Sequence, residues 1–196
     1  MFRIRFAPVF LLFVVLTGIP VPDTAAKEYL TDKEIEKIQD TYDIDRRVKI
    51  YMEAAALRLK TAEERLTGKE SEPGDPLEFF TPEDMLDGYY NILRSVMMNL
   101  DDAAERPGRD NGVYVASVEQ KSPREMFSSA LKTLKSETEK AVRRLEVLKK
   151  IAEEKEKEEL WNLVNSAIDV TNGAHEGAEH GLSKQRSSPD IEKTKK

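Results

Sequence analysis

The chain has 196 residues, of which 39% are hydrophobic and 35% are charged, with a net charge of -6, no cysteine, one tryptophan and two histidines. An acidic chain is a poor nucleic-acid binder, because binding phosphates requires a dominating basic surface. The lack of cysteine excludes disulfides, thiolate catalysis, zinc fingers and covalent haem attachment. The charged fraction exceeds the roughly 25% of an average domain, and the apolar residues recur at regular spacing, which indicates charged amphipathic helices.

Residues 1–26 have the pattern of a secretory signal. Arg3 and Arg5 precede an apolar run from Phe6 to Ile19, and small residues stand before Lys27. The alternative is an uncleaved membrane anchor, but this run of fourteen residues is shorter than the roughly 20 residues of a spanning helix. We therefore expect cleavage after Ala26, a mature chain of net charge -7, and a periplasmic or secreted location. No later stretch is apolar enough to span a membrane.

The first two helices are predicted from their caps and apolar spacing. Thr31 and Glu34 form a capping box that starts a short helix ending near Thr41. Asp43 is placed to cap a long second helix, which ends at Gly68. Its predicted buried positions step by three or four residues: Ile44, Val48, Tyr51, Ala55, Leu59, Ala62 and Leu66.

The third helix follows a loop over residues 68–80, which contains Pro73, Gly74 and Pro76. Thr81 and Pro82 are a strong helix start. The predicted buried stripe comprises Met85, Tyr89, Ile92, Val96, Leu100 and Ala103. Residues 106–122 form a further connection, in which residues 113–118 are either a short extended piece or a turn of helix.

Two more helices complete the prediction. Ser122 and Glu125 repeat the capping box, and the fourth stripe comprises Phe127, Leu131, Leu134, Thr138, Ala141, Leu145 and Leu148. The fifth helix begins within residues 153–159 and runs through Leu160, Val164, Ile168, Thr171 and Ala178 towards Leu182. Residues 183–196 are predicted to be a disordered tail. The fold class is all-α, and residues 27–182 are expected to form an antiparallel bundle of four long helices plus a short N-terminal helix.

Some of these residues resemble a known group of proteins. The run from Tyr29 to Ile35, then Arg47, Val48, Tyr51 and the pair Arg58 and Leu59, are similar to the opening of a family of uncharacterised exported bacterial helical proteins. That family defines no catalytic or ligand-binding residue. Leu30 and Thr31 at a helix start also resemble periplasmic bundle chaperones of the CpxP and Spy type, although Glu34 stands where those chaperones have glutamine.

The candidate metal ligands are four residues near the C-terminus. His175, Glu176, Glu179 and His180 lie within six residues, and on a helix all four fall within an arc of roughly 140°. This arrangement can supply ligands to zinc together with a facing helix, but its spacing is neither HExxH nor HxxEH. In the alternative interpretation, Glu176 and His180 point to water and His175 lies half-buried at the edge of the core.

Two further patterns allow alternative interpretations. Gly173, Gly177 and Gly181 recur every four residues, which indicates either a close helix contact, within the bundle or with a second copy, or a fraying helix end. Residues 70–105 contain ten acidic residues and one basic residue, whereas residues 123–150 contain eight basic and four acidic residues. This segregation suits either a cationic partner or divalent cations, or attraction between neighbouring helices.

The sequence contains no recognisable catalytic set. Both histidines lie in one short stretch, and there is neither a GxSxG elbow nor a glycine-rich phosphate loop. We therefore expect a non-enzymatic interaction module without a cofactor, whose partner is a protein or a second copy of the chain. The alternatives are a metal-binding protein that uses residues 175–180 and a periplasmic bundle that holds unfolded chains.

Overall fold

The computed structural model describes residues 29–105 and 121–187. This part of the chain forms five helices, namely α1 (Asp32–Gln39), α2 (Ile44–Leu66), α3 (Pro82–Glu105), α4 (Pro123–Glu154) and α5 (Glu158–Ser187). The all-α prediction is confirmed. The predicted signal, residues 106–120 of the predicted connection, and residues 188–196 of the predicted tail lie outside the described residues.

Helix starts follow the predicted caps with one exception. Three helices begin with a capping box. In each, a hydroxyl accepts from the backbone N–H three residues later, and the acidic side chain of that later residue accepts from the backbone N–H of the capping residue. The pairs are Thr31 with Glu34, Thr81 with Asp84, and Ser122 with Glu125. Asp43 stands at the N-cap of α2 but makes no capping hydrogen bond. Its carboxylate instead pairs with Arg46, with Oδ2 and Nε 3.3 Å apart.

Helices α2 and α4 end in the same backbone motif. After α2, Gly68 has φ +89° and the N–H of Lys69 donates to the carbonyl of Glu64. After α4, Glu156 has φ 53° and the N–H of Lys157 donates to the carbonyl of Ala152. This left-handed cap satisfies carbonyls at the helix end. The predicted end of α2 at Gly68 is therefore confirmed, whereas the second cap lacks the usual glycine.

The four long helices form two antiparallel hairpins. The start of α2 meets the end of α3, where Arg47 Nη1 donates to Asn99 Oδ1 at 3.4 Å. In the second hairpin the start of α4 meets the end of α5, where Arg124 Nη2 donates to the Gln185 carbonyl at 2.7 Å. The predicted antiparallel bundle is thus present.

The two hairpins pack with parallel helices along their shared sides. Asp45 and Lys121 join the starts of α2 and α4 at 2.7 Å, and Glu83 and Lys157 join the starts of α3 and α5 at 3.6 Å. Helices α3 and α4 therefore lie at opposite corners of the bundle and have little contact with each other.

The core lies between these four helices. Every position predicted to be buried in α2 is buried, and so are the other predicted stripes except for Ala103, Phe127, Ile168 and Leu182, which are partly buried against the core. The Tyr89 hydroxyl lies 2.7 Å from Thr171 Oγ1 deep in the bundle. Among the described residues, every buried side-chain nitrogen and oxygen has a hydrogen-bond partner. No helix in residues 29–105 or 121–187 is both long and apolar enough to cross a membrane.

Helix α5 is longer than predicted. It runs to Ser187 rather than Leu182, so the first five residues assigned to the tail are helical. Lys184 and Arg186 lie in the last turn, where positive charge favours the negative end of the helix dipole. Apolar spacing does not predict this extension, because residues 183–187 carry no apolar stripe. Polar contacts accompany it instead, such as those of the Ser183 hydroxyl with the His180 carbonyl and of Arg124 with the Gln185 carbonyl.

Candidate functional site

The metal-ligand candidates do not converge in space. His175 is partly buried, with 26% of its side chain exposed, while Glu176, Glu179 and His180 are exposed. Within residues 29–105 and 121–187, no group of three or more histidine, cysteine, aspartate or glutamate side chains is arranged to hold a metal ion.

The surroundings of His175 explain its orientation. The Thr138 hydroxyl lies 2.8 Å from the Leu134 carbonyl and 2.9 Å from that of Lys135, so its hydrogen is used within α4. Thr138 Oγ1 therefore accepts from His175 Nδ1, 3.1 Å away. This hydrogen bond directs His175 Nε2 towards Glu179, with 3.8 Å between Nε2 and Oε1.

Glu179 already has a cationic partner. Lys135 Nζ lies 2.6 Å from its Oε1. The hydrogen bond and charge of Lys135 lower the pKa of Glu179, and His175 adds a smaller contribution in the same direction. An ammonium group at this distance opposes a divalent cation on the same oxygen. The contacts of Lys135 with Glu179 and of Thr138 with His175 therefore form a polar link between α4 and α5.

The three glycines of α5 differ in their surroundings. A Cβ placed on Gly173 or Gly177 meets nothing within 4 Å, whereas one on Gly181 lies 2.9 Å from Leu131 Cδ1. The close contact predicted as one alternative is therefore present within the bundle at Gly181 alone. Helix α5 continues past all three glycines, and fraying of this helix end stays a prediction.

The segregated charges do not face each other. The prediction that the acidic and basic segments lie on neighbouring, attracting helices is wrong for α3 and α4, which occupy opposite corners. Basic residues of α4 pair within α4 or with its true neighbours: Arg144 with Glu63 of α2, Lys135 with Glu179 of α5, and Arg143 with Glu139 of α4. Local and adjacent pairs thus balance much of the basic charge.

A buried ion pair holds the N-terminal arm, residues 29–41, on the bundle. Arg58, which is 2% exposed, donates through Nη1 and Nη2 to the two carboxylate oxygens of Glu34 at 3.1 and 2.6 Å, and Nη2 also donates to the Tyr29 carbonyl at 3.0 Å. Partial burial raises the pKa of Glu34, but hydrogen bonds from Arg58 and Thr31 and the Arg58 charge outweigh it, so that the pKa is lowered. The sequence contains a signal for the burial of Arg58, since Arg58 follows Tyr51 by seven residues and shares its helix face, but no signal for its partner.

The loop between α2 and α3 displays apolar side chains. Three backbone hydrogen bonds link residues three apart, from Asp75 to Glu72, from Glu78 to Asp75 and from Phe80 to Leu77, at 2.9 to 3.2 Å. Leu77 is buried and Phe80 packs against the core. Pro73, Pro76 and Phe79 are exposed, and Phe79 reaches 85% exposure. We call these last three residues the apolar ridge.

The base of this loop is fixed by Arg65. Its Nη2 donates to Ser71 Oγ at 2.6 Å and also to the Leu77 carbonyl. Two carboxylates add local bonds, because Asp75 Oδ1 accepts from the Leu77 N–H at 2.8 Å and Glu78 Oε2 accepts from the Gly74 N–H at 3.0 Å. The ridge is therefore carried by a loop with defined internal bonds. The composition of residues 68–80 predicts the loop but not the exposure of the ridge, although proline, proline and phenylalanine recur there every three residues.

A shallow, open depression lies on the first turns of α5. It measures about 530 Å³ and is lined by Glu158, Glu159, Asn162, Leu163 and Ser166. This lining contains one apolar residue and no arrangement of acid, base and nucleophile.

Comparison with known proteins assigns no family. The chain matches no protein-family model, no curated protein and no solved structure. The resemblance to uncharacterised exported helical proteins thus stays a prediction.

Proposed function

We propose that this protein is an exported helical-bundle module that acts by surface contact and carries out no catalysis. The observation that carries the proposal is Phe79, a large apolar side chain that is 85% exposed on a loop fixed by Arg65. Aromatic side chains, phenylalanine among them, are enriched at protein interfaces relative to the rest of the surface. Export is supported by the signal pattern of residues 1–26.

This contact function fits the surface better than the two alternatives. The large apolar side chains exposed in the described residues are dispersed over several elements: Tyr42, Leu57, Phe79, Met98, Val147 and Trp161. A bundle that holds unfolded chains needs a broad apolar face, whereas these six side chains belong to six different segments of the chain. A metal-binding function is opposed by the Lys135 ammonium group on Glu179.

Photocrosslinking in the producing organism tests the contact function. A photoreactive phenylalanine analogue replaces Phe79 in one strain and Met98 in another, because Met98 is also exposed, at 68%, but lies on α3. We expect a discrete adduct from position 79 that excess unmodified protein suppresses. No adduct at position 79, or equal adducts at both positions, would contradict the proposal. Intact mass of the exported protein tests the signal, and we expect it to begin at Lys27.

A further inference from the structure

We propose that the apolar ridge docks onto a protein surface in which basic side chains border an apolar recess. This inference rests on the proposed contact function and names its partner class. It follows from the arrangement of three rows of side chains in the loop between α2 and α3.

Each row takes every third residue of the loop, and the rows differ in how exposed their side chains are. Leu77 and Phe80 form the inward row, which contacts the core. The ridge, which comprises Pro73, Pro76 and Phe79, forms the second row, and all three of its residues are exposed.

The third row is acidic. Glu72, Asp75 and Glu78 each stand one residue before a member of the ridge. Residues 70–84 contain six acidic residues and no lysine or arginine, so a negative border follows the ridge along the loop. Asp75 and Glu78 are held by backbone N–H groups, which fixes the position of their charges.

Basic groups near the loop are engaged at its base. Arg65 binds Ser71 and the Leu77 carbonyl, and Lys157 pairs with Glu83 at 3.6 Å. The loop itself holds no lysine or arginine over residues 70–84, so the charge that it carries beside the ridge is net negative. Electrostatic complementarity favours a cationic partner and disfavours the anionic surface of a membrane.

The ordered loop lowers the cost of binding. A segment that is already held in its bound shape loses less conformational freedom when a partner docks. The internal bonds of the loop and its buried Leu77, which is 2% exposed, provide this order. Phe79 is then the apolar anchor, and the acidic row selects the partner by charge.

Defined peptides test the partner class. The probes are three synthetic helical peptides of equal length: one with lysines around two leucines four residues apart, one with glutamates in place of the lysines, and one with lysines but alanines in place of the leucines. Affinity for the full chain is measured by fluorescence anisotropy. We expect the lysine and leucine peptide to bind best, and its affinity to fall as salt is raised from about 0.05 to 0.5 M.

Matched variants separate specific docking from general attraction to an acidic protein. Phe79→Ser should weaken binding of the lysine and leucine peptide by about tenfold or more, and Glu72→Gln should weaken it by a smaller factor. Met98→Ser and Asp101→Asn, which alter exposed positions on α3, should leave the affinity unchanged. Circular dichroism should show an unchanged fold in every variant.

Four results would overturn the inference: no binding of the lysine and leucine peptide, equal binding of the lysine and alanine peptide, preference for the glutamate peptide, or Phe79-dependent binding to vesicles of anionic lipid. These outcomes do not decide the contact function itself, because crosslinking at position 79 tests that separately. An adduct at position 79 together with preference for the glutamate peptide would retain the contact function and reject a cationic partner.

Discussion

The guanidinium of Arg58 and the carboxylate of Glu34 form a two-pronged ion pair beneath the N-terminal arm, with Nη2 and Oε2 2.6 Å apart. Only 2% of the Arg58 side chain is exposed. Glu34 also accepts from the Thr31 N–H at 2.7 Å, so a single carboxylate both caps α1 and neutralises a buried cation. Attachment of the arm therefore depends on polar geometry as well as on apolar burial.

Removing one member of this pair should be costly. We expect Glu34→Ala to lower the free energy of unfolding by about 3 to 5 kcal/mol, because it leaves a buried guanidinium without its anion. The double variant Glu34→Leu with Arg58→Met should lose less, since it removes both charges. Denaturant titration measures both changes, and Glu53→Ala, from an exposed pair with Lys49, is the control that should change little. If Glu34→Ala left the free energy of unfolding unchanged, the stabilising role of this ion pair would be contradicted.

The pair of Glu34 and Arg58 also predicts how the free energy of unfolding depends on pH. The pKa of Glu34 is lowered in the folded chain, so its ionised form stabilises the fold above its ordinary pKa of about 4.3 and this contribution disappears as pH falls through the lowered value. Wild type should therefore exceed Glu34→Gln in unfolding free energy at neutral pH, and the difference should shrink below about pH 4. Urea titrations over that range measure it. If the difference in unfolding free energy between wild type and Glu34→Gln stayed constant below about pH 4, packing and not the charge of Glu34 would account for it.

The α5 glycines should respond differently to alanine. Gly173→Ala and Gly177→Ala should each raise the free energy of unfolding by about 0.5 to 1 kcal/mol, because alanine favours helix and the added methyl group meets open space. Gly181→Ala should gain less or destabilise the fold, since its methyl group would lie 2.9 Å from Leu131 Cδ1. Thermal melts compare the three variants. Destabilisation at Gly173 or Gly177 would indicate a contact there that the isolated chain does not make.

Zinc should bind weakly at residues 175–180. Lys135 Nζ lies 2.6 Å from Glu179 Oε1, so a metal ion that uses Glu179 would have to displace this ammonium group. We expect calorimetry at neutral pH to show no affinity tighter than micromolar, the scale of about 8 kcal/mol. Tight binding of one equivalent, lost on His175→Ala with His180→Ala, would restore the metal-binding alternative.

Local patterns accounted for most of the helices. The capping box at Thr31 and Glu34 and the left-handed residue Gly68 concern atoms a few residues apart, so they can be identified without knowledge of the fold. The same reasoning failed at Asp43, whose side chain pairs with Arg46 instead. It failed again after Leu182, where polar contacts rather than an apolar stripe continue the helix.

The candidate sites were harder to predict because each depends on a distant partner. Sequence spacing placed His175 and Glu179 on one helix face, but it did not reveal that Thr138 and Lys135 of α4 would engage them. The apolar ridge was missed for a related reason. Whether Leu77 or Phe79 is buried depends on which side of the loop meets the bundle.

The sequence by itself determined the helices and their buried faces, because capping and apolar periodicity act within a few turns of one segment. Only the tertiary structure decided that α3 and α4 lie at opposite corners, which separates the acidic and basic segments that the sequence suggested would attract each other. Only the tertiary structure gave Arg58 its partner on the N-terminal arm and exposed Phe79. These features share one physical reason: the packing order of the helices, ion pairs between distant segments and the exposure of a loop residue depend on contacts between residues far apart in the chain, and no local pattern specifies them.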